Sequence, residues 1–133
     1  MTAAALTILI VDDEAPLRRV LERALTRQGY RVMTAGSAEA AYSLLESERA
    51  EALLLDIHLP TMSGLALYTA IEHRWPQLAG RMAIMTGDAD AEEVRSWLEA
   101  HRCTVLRKPF DLHEITAWLD AIGRVREREI GRG

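Results

Sequence analysis

The sequence has a single cysteine, Cys103, so no disulfide can close within the chain, and a reducing, cytoplasmic setting is the expectation. No apolar run approaches the ~20 residues needed to cross a bilayer. The opening MTAAALTILIV carries no basic stretch and no cleavage site, so its apolar part reads as a first strand and not as a leader. Positive charge is not in excess: the net charge is −4, which argues against direct nucleic-acid binding through a general basic surface. There is no internal repeat, low-complexity segment or interior linker, and neither a P-loop nor a G-x-G-x-x-G to suggest a bound nucleotide. What remains is 133 residues, 49% hydrophobic and 27% charged, enough for one domain with a proper core.

Five short apolar runs alternate with amphipathic stretches: 6–11, 30–35, 52–56, 81–86 and 103–107. Runs this short and continuously apolar, Leu53-Leu54-Leu55 above all, are expected of strands covered on both faces. In the first intervening stretch Leu17, Val20, Leu21, Ala24 and Leu25 mark one helix face, with Pro16 near its start and Gly29 as a stop. Ser37 is placed to cap the second helix, and Asp90 with Glu93 and Asp111 with Glu114 have capping-box spacing. Val94, Trp97 and Leu98 mark a fourth helix; Leu112, Ile115, Leu119 and Ile122 mark a fifth, which Gly123 is placed to end. Five βα units in series predict an open, mostly parallel α/β sheet with helices on both faces. The expected domain is 1–123, with its core from about 6; the charged tail 124–133 is a helical extension, a linker stub or a frayed end.

In such sheets ligands bind beyond the carboxyl ends of the strands. There the first strand delivers Asp12 and Asp13, the third Asp56, the fourth Thr86 and the fifth Lys108. Acid pairs before a helix are in themselves favoured by the helix dipole. If strands one and three are neighbours, however, three carboxylates converge, and their repulsion calls for a hard cation such as Mg2+, with Mn2+ as the alternative. Asp56, held rigidly after an apolar run, could then attack phosphorus, with Lys108 and Thr86 placed to stabilise the phosphoryl oxygens. His73, His101 and His113 show no metal spacing, and the three tryptophans read as packing or interface residues.

Taken in order, ILIVDDE, LLLDIHLPTMSG, AIMTGD and LRKPF resemble the receiver domains of two-component response regulators. The resemblance spans about Leu6 to Gly123 and implies a flavodoxin-like (βα)5 doubly wound sheet, strand order 2-1-3-4-5. It implies that Asp56 accepts a phosphoryl group from a phosphohistidine on a sensor histidine kinase or histidine phosphotransfer protein. It further implies direct Mg2+ ligation by Asp13, Asp56 and the backbone carbonyl of His58, Asp12 acting largely through water, and a cis Lys108–Pro109 bond. Such a module would catalyse only its own phosphorylation and dephosphorylation, without membrane contact, as a monomer or weak homodimer signalling to an output domain or protein. Departures are Val105, where the family often has an aromatic residue, His58 and Asp88 flanking the site mouth, and a fifth-strand loop most like receivers of hybrid sensor kinases. Two rival functions are a phosphatase of the haloacid dehalogenase type and a receiver-fold binding module that is never phosphorylated. The first usually carries a second aspartate two residues after the nucleophile, where this chain has His58.

Overall fold

The computed structural model describes residues 6–87, 91–109 and 111–132. Strands β1 (Thr7–Val11), β2 (Arg31–Ala35), β3 (Ala52–Asp56), β4 (Met82–Thr86) and β5 (Thr104–Arg107) each fall within one residue of the apolar runs. All neighbouring pairs are parallel, and the order is β2-β1-β3-β4-β5. Between them run helices α1 (Ala15–Arg27), α2 (Ala38–Ser47), α3 (Gly64–Arg74) and α4 (Glu92–His101), and α5 (Leu112–Arg132) follows β5. Asp88, Asp90 and Phe110 lie outside the described residues.

The alternation of strand side chains explains the two-sided core. Leu9, Val11, Leu53, Leu55 and Ile84 pack towards α2 and α3 in one cluster. Their sequence neighbours Ile8, Ile10, Leu54, Ala83 and Met85 pack against Leu21, Leu25, Ile115 and Leu119 of α1 and α5 in the other. Among the described residues no helix is long and apolar enough to cross a membrane.

Local signals act largely as their chemistry dictates. The Ser37 hydroxyl accepts from Ala40 N at 3.1 Å and opens α2. Gly29, at φ 98°, takes the left-handed conformation that stops α1. Asp111 opens α5 by accepting from His113 N at 3.0 Å. The Lys108–Pro109 bond is cis. Cys103 packs half-buried against the first cluster, and burial pushes its thiol up to about 11.

Two expectations fail. Val20 does not join the buried face of α1; it is 64% exposed. At about 100° per residue it falls some 100° off the row Leu17–Leu21–Leu25, whose leucines already cover the sheet. Nor does Gly123 end the last helix, since α5 runs on to Arg132. A helical glycine costs only about 1 kcal/mol. Against it stand good helix formers and two ion pairs, Arg126 with Glu51 at 2.9 Å and Arg81 with Glu129 at 3.0 Å.

Candidate functional site

The parallel register sets the strand ends level. Val11 lies opposite Leu55, and Asp56 opposite Met85, so β1, β3 and β4 finish together and their next side chains crowd one place. Ligand oxygens of Asp12, Asp13 and Asp56 lie within 4.8 Å of one another. Asp12 and Asp56 are buried and Asp13 is exposed. All three donors are hard carboxylate oxygens, the set a divalent cation such as Mg2+ takes.

Asp12 is bound at every polar atom. Its N donates to Ala35 O at 3.1 Å, and its carbonyl accepts from Arg18 Nη1 at 2.6 Å. Oδ1 accepts from Glu14 N at 2.8 Å, and Oδ2 from Lys108 Nζ at 3.0 Å. Lys108 Nζ also stands 3.5 Å from Asp56 Oδ1, which accepts from His58 N at 3.3 Å. The lysine backbone is itself fixed, because Lys108 N donates to Thr86 O at 2.8 Å. Thr86 is wholly buried at the end of β4, on the same level.

Charge follows this geometry. Burial raises the Asp56 pKa, the nearby Asp12 charge and, less, Asp13 add to it, and Lys108 and the His58 N–H only partly offset them. For Lys108 burial acts downward, but its bond to Asp12 and the charges of Asp12, Asp56 and Glu14 prevail and raise its pKa. A cation seated among the acids would relieve the repulsion that adds to the effect of burial on Asp56.

The loop after Asp56 is closed on itself. Gly64 N donates to Ile57 O at 2.7 Å, Ser63 caps α3 by accepting from Ala66 N at 3.1 Å, and the Thr61 hydroxyl bonds Glu39 of α2. Gly64 is needed here for space: a Cβ at this position would lie 2.0 Å from the Asp56 carbonyl oxygen. Sequence reasoning brought Asp12, Asp13, Asp56, Thr86 and Lys108 to one end of the sheet, and the structure places them there. It missed Gly64 and Arg18. Ser63-Gly64 at a helix start was the available sign of the first; nothing in LRRV marks the second.

On the α4 side Trp97 stacks on His101 with centroids 3.9 Å apart and meets Tyr68 of α3 edge-on at 5.1 Å. Trp97 is thus a packing residue that fastens α4 to α3, while Val105 in β5 is half-buried.

The chain is similar in sequence and fold to known proteins. The DNA-binding transcriptional regulator NtrC of Proteus hauseri is 35% identical over 123 residues, covering 92% of this chain and 26% of the relative. The sensor histidine kinase AruS of Pseudomonas aeruginosa is 35% identical over 124 residues, 92% of this chain and 12% of that protein. The chain therefore spans about a quarter or less of these two relatives. Among solved structures, the signal receiver domain of an HD domain-containing protein from Pseudomonas fluorescens Pf-5 superposes with a TM-score of 0.83 at 25% identity, covering 100% of this chain and 97% of that one. The response regulator TrrA of Thermotoga maritima, in complex with Mg(2+)-BeF, superposes at 0.75 with 26% identity over 88% of this chain and 98% of its own. A family model, the response regulator receiver domain, matches residues 8–120, strand ends and acid cluster included, and the chain belongs to that family.

Proposed function

We propose that the chain accepts a phosphoryl group on Asp56 from a phosphohistidine of a sensor histidine kinase or histidine phosphotransfer protein. The observation that carries this reading is the convergence of three carboxylates within 4.8 Å, with Lys108 bridging Asp12 and Asp56. Asp13, Asp56 and the His58 carbonyl would hold Mg2+ directly, with Asp12 acting through water. When bound, the ion neutralises phosphoryl oxygens that would otherwise repel the acids.

An Asp56 carboxylate oxygen attacks phosphorus and forms the O–P bond of an acyl phosphate; the P–N bond to the donor imidazole breaks, and the imidazole keeps the electron pair. Lys108 turns from Asp56 to an oxygen of the transferred group, and Thr86 hydrogen-bonds another. The chain thereby promotes its own phosphorylation, and its own dephosphorylation by water, without turning over a separate substrate. The partner approaches over α1 and the loop after β3, where Val20 and Met62, 64% and 41% exposed, present apolar groups to solvent. Val20 lies about 7.5 Å along the axis from the first residue of α1, within reach of a helix laid across the site.

The test uses acetyl phosphate as donor, with and without Mg2+, followed by intact mass and tryptophan fluorescence. A gain of one phosphoryl group that needs Mg2+ and is absent in Asp56→Asn supports the reading. Addition at another residue, or catalytic release of phosphate from simple esters, would replace it with a different chemistry.

A further inference from the structure

We infer that Arg18 is a positioning residue for the cation site, acting through the peptide between Asp12 and Asp13, and that Gly36 is the space left for it. The inference rests on the proposed Mg2+-dependent phosphorylation of Asp56.

Of the three clustered acids, Asp12 and Asp56 are buried and anchored by side-chain hydrogen bonds, whereas Asp13 is exposed. Among the described residues no hydrogen bond holds the Asp13 carboxylate, so its aim depends on the backbone that carries it. A peptide unit is planar: whatever fixes the Asp12 carbonyl fixes the plane that ends at Asp13 N and Cα. That carbonyl is gripped at 2.6 Å by Arg18 Nη1, a short, charge-assisted bond. Arg18 sits in the first turns of α1, so the helix that follows the acids reaches back to orient them.

The guanidinium lies against the β2–α2 turn. A Cβ built on Gly36 would stand 3.0 Å from Arg18 Nη1, 3.4 Å from Cζ and 3.6 Å from Nη2. The absence of a side chain at position 36 therefore keeps the guanidinium seated under Asp12. Adding one methyl must displace it by a few tenths of an ångström, enough to weaken so short a bond. Lys108, by contrast, holds the Asp12 side chain from the other end, so loss of Arg18 leaves the buried pair in place.

The experiment titrates wild type, Arg18→Ala, Arg18→Lys, Gly36→Ala and the Arg18→Ala/Gly36→Ala double variant with Mg2+ alone, followed by calorimetry. Thermal melts and acetyl phosphate labelling at saturating Mg2+ run in parallel. Arg18→Ala is expected to weaken Mg2+ binding about tenfold, the lower range for groups that orient metal ligands. The maximal labelling rate should stay near wild type once Mg2+ saturates, and Arg18→Lys should recover part of the affinity. Gly36→Ala should weaken binding in the presence of Arg18 and do nothing further in its absence. If Arg18→Ala does not fold, Gly36→Ala with and without Arg18→Lys poses the same question. Wild-type Mg2+ affinity in Arg18→Ala, or equal damage from Gly36→Ala in both backgrounds, overturns the inference. Failure of the wild type itself to bind Mg2+ or take label would instead overturn the proposed function.

Discussion

The Lys108 ammonium meets the Asp12 carboxylate at 3.0 Å across 96 positions of sequence. Asp12 has no exposed side-chain surface, whereas Lys108 keeps 23% of its own. The lysine thus already neutralises part of the acid cluster before any cation binds.

Lys108→Ala should therefore separate two roles. Breaking a buried pair leaves an uncompensated charge, and with Lys108 partly exposed the expected loss of stability is roughly 2 kcal/mol in the absence of Mg2+. Removing a positive charge also deepens the negative field, so the variant should bind Mg2+ more tightly than wild type while labelling of Asp56 slows. Urea unfolding and Mg2+ titration check both; weaker Mg2+ binding would mean that Lys108 shapes the cation site itself.

Asp56 supplies the pH dependence. Burial, and then the Asp12 charge, hold its folded pKa above the ordinary value. Between the unfolded and folded pKa the native state binds more protons than the unfolded one, so stability falls as pH rises through that window and the penalty persists above it. Without Mg2+, Asp56→Asn should melt at a higher temperature than wild type at pH 7, and the gap should close as pH drops below the carboxylate range. Mg2+ should narrow the gap at pH 7 by stabilising the wild type more. An Asn variant that melts lower at neutral pH would contradict the sign.

Gly64→Ala tests the packing behind the phosphoacceptor. Its methyl would lie 2.0 Å from backbone oxygen, an obstacle that no side-chain rotation can clear. The start of α3 or the end of β3 must shift, at about 3 kcal/mol or more. Urea unfolding should show the loss, and acetyl phosphate labelling of the folded fraction should fall with it.

Glu51 tests the opposite end of the sheet. Its Oε1 accepts from Thr7 N at 3.0 Å and its Oε2 from Arg126 Nη1 at 2.9 Å. Glu51→Ala should cost about 2 kcal/mol, since two donors lose their acceptor. Truncation after Gly123 should lower the melting temperature in the same direction. Mg2+ affinity should not change in either variant, because the site lies at the far ends of the strands.

The strands and the acid cluster were legible because both are written in local runs. Leu53-Leu54-Leu55 followed by Asp56 names a two-sided strand and its terminal acid within four residues. Val20 misled because an apolar residue at i+3 fits a helical period whether or not a third row is needed. Gly123 misled because the counterweight lies elsewhere: Glu51 and Arg81, far off in sequence, hold the helix beyond it. Arg18 stayed hidden for a similar reason, since its partner is a backbone carbonyl, which carries no sequence signature.

The 21 residues of α5 make a rod of about 31 Å, against about 17 Å for the strands it lies along. Its first turn stands beside the end of the sheet that carries the acids, and its last turns are tied below the opposite end. The helix is thus nearly twice as long as the strands, so its stretch beyond Ile122 is held by ion pairs and not by the apolar face of the sheet.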